Sequence, residues 1–250
     1  MNDKPFGSEY GPGGRQRTCI EISVVIPVYN SGLHLNANVQ KLLETLRDLA
    51  NTYEVILVDD SSTDGQTSDL ARSLSEKYRD VHACCLLTNS GQVQATLTGM
   101  KLARGTFVST MDDDLAIDPK YLRAALAQLV EEPGVDCVQG VVPTSTYKSL
   151  RRIRARSVYF LLKHWSLHVP QGTQISSFRV FRAGIARQLS EVTSDLPYMQ
   201  LKMAALGIRY STLTVVPRNR GYAATRYGSH QLIRESWRIL RFLLSQRNMH

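Results

Sequence analysis

The first part of the chain alternates apolar runs with segments of helical periodicity. The runs cover residues 22–28, 53–58, 81–87 and 106–110. They are continuous and rich in β-branched residues, which is typical of strands covered on both faces. Between the first two runs, apolar residues recur at helical spacing: Leu35, Val39, Leu42, Leu43, Leu46 and Leu49. This alternation predicts right-handed crossovers and an α/β fold with a mostly parallel sheet flanked by helices.

The second part of the chain continues the same pattern. The predicted elements are helices at 118–130 and 196–206 and strands at 136–142, 175–182 and 209–216. Gly105 and Gly207 are expected to close the helices that precede them. The basic, glycine-containing stretches 217–221 and 225–228 are expected to form a lid over a site.

Polar residues follow every predicted strand of the first part. They are Tyr29 and Asn30, Asp59 and Asp60, Asn89 to Gly91, and Asp112 to Asp114. Because ligands bind outside the carboxyl ends of the strands in such sheets, we expect these clusters to converge on one edge. No G-x-G-x-x-G or G-x-x-x-x-G-K-S/T motif follows any strand. This argues against a dinucleotide-dependent oxidoreductase and against a P-loop NTPase.

The stretch 106–119 leads from an apolar strand directly into Asp112, Asp113 and Asp114. A carboxylate cluster at the end of a buried strand costs free energy unless a cation neutralises it. Asp112 and Asp114, two residues apart, can lean the same way in an extended segment. They are the predicted ligands of Mg²⁺ or Mn²⁺, hard cations that prefer oxygen. The alternative is an acidic turn in which Asp118 caps the following helix.

Composition and charge narrow the possible functions. At 250 residues and 43% hydrophobic, the chain can bury one large core or two fused subdomains, and it is too apolar to be disordered. Residues 1–147 have a net formal charge of −7 and residues 148–250 of +15. Such asymmetry favours an anionic partner for the second part, whether nucleic acid, lipid phosphate or membrane surface; the alternative is a solubilising surface charge.

The strongest cationic cluster, at 148–157, precedes an apolar run. This arrangement suits a phosphate or an anionic lipid headgroup beside a hydrocarbon chain. Cations near a helix N-terminus oppose the helix dipole, so an external anion would help to explain them. The alternative is a solvated helical face.

The remaining residues indicate a reducing compartment and no membrane span. Cys19, Cys84, Cys85 and Cys137 lack C-x-x-C spacing and are expected to be reduced. The six histidines are expected to be structural or exposed. No apolar run reaches the ~18 residues that a spanning helix needs. The last residues predict a basic amphipathic helix that either packs on its own domain or lies at a bilayer interface.

Six motifs occur along the chain. They are VVIPVYN at 24–30, EVILVDDSSTDG at 54–65, the N-x-G of Asn89 and Gly91, STMDDDL at 109–115, SSFRVFR at 176–182, and the R-x-x-G of Arg218 and Gly221 followed by TRY at 225–227. Together they resemble family 2 glycosyltransferases with the GT-A fold, over about residues 20–240. The resemblance is strongest to the dolichol-phosphate mannose synthase and polyprenyl-phosphate glycosyltransferase branch. The implied fold is a single catalytic domain around a Rossmann-like sheet.

The resemblance implies an inverting, metal-dependent hexosyltransferase that moves a sugar from a UDP- or GDP-sugar to a polyprenyl phosphate. The implied nucleotide-sugar residues are Pro27, Tyr29, Asn30, Asp59, Asp60, Asn89, Gly91, Gln92, Asp112 and Asp113. The implied catalytic residues are Asp112, Asp114, Arg179 and Arg218. The implied acceptor-phosphate residues are Arg151, Arg152, Arg154, Arg156, Ser157 and Arg226.

Two departures from the family pattern affect the acceptor and the metal site. Many members carry an Asp base in an E-D pair, and residues 195–200 contain none. A phosphate acceptor is already anionic and needs no base, so the absence favours a phosphate; Asp195 and Asp113 are the alternative bases. The branch usually continues D-x-D-L-Q, whereas here Ala116 stands at the glutamine position, which removes one metal or phosphate contact.

The resemblance also implies an organisation and a location. We expect a flexible tail at 1–18, a nucleotide-sugar-binding half at 19–118, an acceptor-binding half at 119–228 and the amphipathic helix at 229–250. The expected location is cytoplasmic, with peripheral contact with the cytosolic face of a membrane. The alternatives are transfer to a soluble or carbohydrate hydroxyl, and a non-catalytic nucleotide-sugar or nucleic-acid binding module. No module with interleaved basic and aromatic residues is recognisable, so no nucleic-acid partner is expected.

Overall fold

The computed structural model describes residues 20–32, 34–143, 173–192 and 198–218. Within the first two ranges the predicted strand and helix alternation is confirmed. The elements are β1 (Ile22–Val28), α1 (His34–Leu49), β2 (Tyr53–Asp59), α2 (Thr67–Lys77), β3 (Val81–Cys85), α3 (Gln92–Leu102), β4 (Phe107–Thr110), α4 (Tyr121–Glu131) and β5 (Cys137–Pro143). Two of these strands are shorter than predicted: β3 ends at Cys85 instead of Leu87, and β4 begins at Phe107 instead of Thr106.

The later described ranges contain β6 (Thr173–Arg182), α5 (Ala183–Glu191), α6 (Met199–Ala205) and β7 (Tyr210–Thr214). Helix α5 was not expected from the sequence. It begins directly after β6 without a turn, and its fully buried apolar residues are only Ala186 and Leu189. The tail at 1–18, the cationic cluster at 148–157, Arg226 and the helix at 229–250 lie outside the described residues.

The sheet has seven strands in the order β3-β2-β1-β4-β6-β5-β7. Strand β6 runs antiparallel to both of its neighbours, β4 and β5. All other neighbouring pairs in the described sheet are parallel. The mostly parallel α/β fold is therefore confirmed, and every strand except β6 ends at the same edge.

Two layers of helices cover the sheet, as the side chains of β1 show. Val24 packs in a cluster with residues of α1, α2 and α4, whereas its neighbour Val25 packs with residues of α3, α5 and α6. Successive side chains of a strand point to opposite faces. Both faces of β1 are thus buried, as its uninterrupted apolar sequence predicts. Among the described residues, no helix combines the length and the apolar character needed to cross a membrane.

The amino edge of the sheet is fixed by the buried carboxylate of Glu54, which is 1% exposed. Its Oε1 accepts hydrogen bonds from the hydroxyl of Ser23 at 2.6 Å and from the N–H of Arg104 at 2.8 Å. Its Oε2 lies 2.7 Å from Nη2 of Arg104. The ion pair and the hydrogen bond from Ser23 together join β1, β2 and the connection from α3 to β4, because each of the three contributes one of these residues.

Gly105 does not close α3, as was expected, because that helix ends at Leu102 and is followed by the extended residue Ala103. Instead, the N–H of Gly105 donates to Oγ of Ser23 at 2.8 Å. A Cβ at Gly105 would lie 2.6 Å from the backbone nitrogen of Ser23. The glycine is needed for this close approach. Gly207, by contrast, ends α6 with a φ of 63°, as predicted.

We expect Gly105→Ala to lower the free energy of unfolding by about 2 kcal/mol or more, because the new methyl group meets backbone that has no room to move. Gly184→Ala is the matched control. Gly184 lies in α5, and a Cβ there would meet nothing within 4 Å, so the same change should cause no loss. Urea unfolding of both variants measures the difference. Equal stabilities would contradict the assigned role of Gly105.

Candidate active site

Side chains from the strand-end loops meet at the carboxyl edge of the sheet. The loop after β1 contacts the loop after β2, where the N–H of Asn30 donates to Oγ of Ser62 at 2.9 Å. The start of α3 contacts the loop after β4, where Nε2 of Gln92 donates to Oδ1 of Asp112 at 2.7 Å. The convergence expected from the strand-end clusters is therefore present in the structure.

Asp60, directly after β2, fixes the loop that precedes α3. It is 3% exposed. Its Oδ1 accepts hydrogen bonds from the N–H and the hydroxyl of Ser90 at 2.7 and 3.0 Å, and its Oδ2 accepts one from the N–H of Gly91 at 2.8 Å. Such bonds offset the cost of burying the charge. Contacts of Asp60, Asn89 and Gly91 with a nucleotide stay predictions.

Asp59, the last residue of β2, is 1% exposed and is held in the same way. It accepts hydrogen bonds from the N–H of Ser62 at 3.2 Å and from the hydroxyl of Ser68. Across the edge, Oδ1 of Asn30 accepts the N–H of Thr63 at 2.8 Å. These side chains shape the loops after β1 and β2, and their contact with a base or ribose stays a prediction.

Two further predicted nucleotide residues lie on β1 and just after it. Pro27 is paired with Val58 in the parallel ladder and is half-buried. Tyr29 is 40% exposed at the carboxyl edge. An exposed aromatic ring at this position offers an apolar face to a ligand.

The three aspartates lie in a tight turn and not in an extended segment. The N–H of Leu115 donates to the carbonyl oxygen of Asp112 at 3.1 Å, and Leu115 has a φ of 44°. The premise that Asp112 and Asp114 lean the same way from an extended segment was therefore wrong. The conformation of Leu115 was not predictable, since residues at positive φ are usually Gly, Asn or Asp.

Asp112 and Asp113 are held by neutral donors from opposite faces of the sheet. Asp112 accepts a hydrogen bond from Gln92 of α3 and another from the hydroxyl of Ser177 of β6, the latter at 2.5 Å. Asp113 accepts a hydrogen bond from the hydroxyl of Ser31, which precedes α1. Because α3 and α1 cover different faces, the two carboxylates turn away from each other.

Asp114 is the exposed member of the triplet. Its Oδ1 accepts the N–H of Ala116 at 2.9 Å, and within the described ranges its Oδ2 accepts no hydrogen bond. The described residues contain no group of three or more His, Cys, Asp or Glu that could hold a metal alone. One or two carboxylates completed by substrate phosphate oxygens are a common way to bind Mg²⁺. The donor set of Asp112 and Asp114 fits such a shared site.

The structure explains how Ala116 is used. Its side chain is buried, at 5% exposed, and both of its backbone groups are paired. Its N–H donates to Asp114, and its carbonyl oxygen accepts the N–H of Arg218 at 2.8 Å. An isolated antiparallel bridge joins Ile117 to Pro217 alongside. The first residues of the expected lid, Pro217 and Arg218, are thus attached to the segment that follows the turn at residues 112–115, here called the aspartate turn. The rest of that lid lies outside the described residues.

Arg179 lies on β6 opposite Thr110, the last residue of β4. Its side chain is buried, at 6% exposed. Its Nε donates to Oε1 of Gln139 at 2.7 Å, and its Nη1 donates to the carbonyl oxygen of Ser177 at 3.1 Å. These contacts hold the backbone that presents the Ser177 hydroxyl to Asp112. A direct catalytic role for Arg179 stays a prediction.

The residues that sequence reasoning missed are the neutral donors around the aspartates. Ser31, Asn38 and Ser177 all contact the triplet: Nδ2 of Asn38 donates to the carbonyl oxygen of Asp113 at 2.9 Å. Ser177 was part of a recognised motif, but nothing in the sequence relates its hydroxyl to a carboxylate 65 residues away.

Comparison with known proteins identifies one matching family and several similar proteins. The model of glycosyl transferase family 2 matches residues 23–190. Undecaprenyl-phosphate 4-deoxy-4-formamido-L-arabinose transferases of Yersinia pestis (strain Pestoides F) and Yersinia pseudotuberculosis serotype O:3 (strain YPIII) are each 27% identical over 213 residues. The match covers 85% of this chain and 64% of those relatives. The chain thus spans slightly less than two thirds of their length.

Solved structures share the fold. The mannosyltransferase PcManGT from Pyrobaculum calidifontis, in complex with GDP-Man and Mn²⁺, has a TM-score of 0.56 at 22% identity, over 88% of this chain and 60% of that one. S. aureus TarS 1-349 in complex with UDP-GlcNAc has a TM-score of 0.55 at 23% identity, over 85% and 61%. These neighbours are GT-A glycosyltransferases, and the implied GT-A fold is confirmed.

We expect Ser177→Ala to weaken Mn²⁺-dependent binding of a nucleoside diphosphate about tenfold, because residues that orient a metal-ligating carboxylate commonly contribute that much. Isothermal titration with UDP and GDP, with and without Mn²⁺, measures it. Ser176→Ala is the control. Its hydroxyl donates to the carbonyl oxygen of Gly140 at 2.9 Å, away from the aspartates. Equal loss in both variants would contradict a role for Ser177 in orienting Asp112.

Proposed function

Because the chain belongs to glycosyl transferase family 2, we propose that it moves a sugar from a nucleotide-diphosphate sugar to a polyprenyl phosphate such as dolichyl or undecaprenyl phosphate. The enzyme class, a glycosyltransferase, follows from the family. The observation that carries the proposal is the exposed carboxylate of Asp114, turned out at the carboxyl edge where four strand-end loops converge. The proposal adds the donor, the acceptor and an inverting, metal-dependent mechanism.

The donor side of the proposal is supported by the arrangement of the aspartates. Asp112 and Asp114 would hold Mg²⁺ or Mn²⁺ together with the donor diphosphate, and the bound ion would supply Lewis-acid stabilisation of the leaving group. Solved relatives hold GDP-Man with Mn²⁺ and UDP-GlcNAc. A UDP- or GDP-sugar is therefore the proposed donor. Residues 19–118 would provide this part of the site.

The acceptor side of the proposal is supported by charge and by the names of relatives. The relatives from Yersinia are named for undecaprenyl phosphate, and residues 148–250 have a net formal charge of +15. A phosphate oxygen would form the new bond to the anomeric carbon on the face opposite the breaking bond to the nucleoside diphosphate. Since that oxygen is already deprotonated at neutral pH, no general base is needed.

Cationic side chains would hold the acceptor phosphate in residues 119–228. Arg218 is the described candidate. Arg179 is buried, and the remaining predicted cations lie outside the described residues. We also propose that the enzyme works at the cytosolic face of a membrane, because a polyprenyl chain stays in the bilayer while its phosphate reaches the surface.

We expect Asp114→Asn to lower kcat/KM at least about 100-fold, since removing one electrostatic contact to a developing charge typically costs that much. The amide oxygen can still accept the N–H of Ala116, so the turn should persist. Asp80→Asn, an exposed change at the opposite edge of the sheet, is the control and should have no effect. Undiminished metal-dependent turnover in Asp114→Asn would overturn the metal assignment.

The acceptor class is tested with matched lipids in detergent. We expect turnover with undecaprenyl or dolichyl phosphate and none with the corresponding polyprenols, because a free hydroxyl needs a base that the proposed site does not provide. Radiolabelled UDP- and GDP-sugars in parallel reactions identify the donor. Transfer to a polyprenol or to a soluble sugar, with polyprenyl phosphate ignored, would establish the hydroxyl-acceptor alternative instead.

A further inference from the structure

Three charged side chains outside the aspartate triplet meet beside it. Lys41 of α1 places Nζ 3.1 Å from Oδ2 of Asp118, and Arg218 places Nε 4.0 Å from the same oxygen. The side chains of Lys41, Asp118 and Arg218 are 34%, 21% and 37% exposed. The group joins three parts of the chain: α1, the segment before α4 and the segment after β7.

Residues 215–218, here called the strap, are fixed to their surroundings by backbone hydrogen bonds. The N–H of Val215 donates to the carbonyl oxygen of Val141 at 2.9 Å, and the N–H of Val216 donates to the hydroxyl of Tyr121 at 3.2 Å. With the bond from Arg218 to Ala116, the strap lies across the loop that carries the aspartates. Its backbone is therefore fixed, whereas the long side chain of Arg218 needs a separate restraint.

We propose that Asp118 is a positioning residue that holds the guanidinium group of Arg218 beside the Asp114 turn, ready for a phosphate group of a substrate. Besides the contact of Nε with Asp118, the side chain of Arg218 makes no hydrogen bond within the described residues. Within the same residues its terminal nitrogens have no protein partner, and arginine binds phosphate oxygens in a bidentate manner. This inference rests on the proposed function, which supplies the phosphates.

Lys41 explains why Asp118 orients the arginine without neutralising it. One carboxylate between two cations leaves a net charge of +1, so the group as a whole still attracts an anion. Asp118 is itself fixed, since its Oδ1 accepts the N–H of Lys120 at 3.1 Å. Burial acts to raise the pKa of Asp118, but this hydrogen bond and Lys41 outweigh it and hold that pKa below its usual value. The carboxylate is thus charged at neutral pH.

The expected benefit is in binding geometry and not in stability. A partly exposed ion pair contributes only about 0.2–1 kcal/mol to folding, so variants at Asp118 should fold normally. A long side chain that is already held in place, by contrast, loses less conformational entropy when it binds a substrate. Substitution of Asp118 should therefore change kinetics much more than the melting temperature.

The test is a double-mutant cycle with Asp118→Asn, Arg218→Ala and the combined variant. Melting temperature is measured for each protein, and KM and kcat are measured for donor and acceptor separately. We expect Asp118→Asn to raise the KM of one substrate about five- to tenfold, and to have no further effect in the combined variant, because residues that act through each other are not additive. Asp69→Asn breaks an exposed pair with Arg72 and is the matched control.

The substrate whose KM rises identifies the phosphate that Arg218 binds, the donor diphosphate or the acceptor monophosphate. Additive effects in the cycle, or unchanged kinetics in Asp118→Asn, would overturn the inference. The proposed function fails separately, if the wild-type enzyme transfers no sugar to polyprenyl phosphate. In that case the affinities of the same variants for UDP and GDP are measured in the presence of Mn²⁺. If Asp118→Asn has no effect on these affinities, the inference is overturned as well.

Discussion

The two buried carboxylates at the end of β2 constrain the whole carboxyl edge of the sheet. Asp59 and Asp60 are almost inaccessible to water, so their charge must be balanced by hydrogen-bond donors from the protein. Those donors belong to the loop after β2, to the first turn of α2 and to the loop after β3, which must approach closely. Positive φ values occur in the same region, at Asn30, Ser61 and Gly91. Unusual backbone conformations of this kind persist only where the surrounding contacts hold them.

In the aspartate turn, carboxylate charge is balanced in a different way. Three consecutive carboxylates repel each other if they point in the same direction. Here each carboxylate has its own donors, so no cation that binds all three is required to relieve the repulsion. Asp112 is stabilised by donors from α3 and β6, Asp113 by a hydroxyl before α1, and Asp114 by solvent and one backbone N–H. The sheet therefore separates the charges between its two faces. Of the three, Asp114 is left with an oxygen open to a ligand.

Much of the fold was predictable because local signals agreed with the global structure. The β-branched runs and the strand-end polar residues located the parallel strands and the edge of the site. The turn at Leu115 was not predictable, because its conformation is imposed by tertiary contacts and not by residue type. Helix α5 was missed because no turn residue separates it from β6. The hydrogen-bond partners of Asp112 and Asp113 could not be predicted from the sequence either, because hydroxyl groups pair across long sequence separations without a periodic pattern.

Ala116 shows how a departure from a family motif can leave a site's construction unchanged. In the family pattern that the sequence resembles, this position carries a glutamine. Its replacement by alanine predicted the loss of one metal or phosphate contact. The contacts are made by the backbone of Ala116 instead. Its N–H donates to Asp114, and its carbonyl oxygen accepts the N–H of Arg218. A backbone link does not depend on the side chain. The geometry that joins the aspartate turn to the strap can therefore survive substitution at residue 116, whereas the ion pairs of Asp118 depend on its carboxylate.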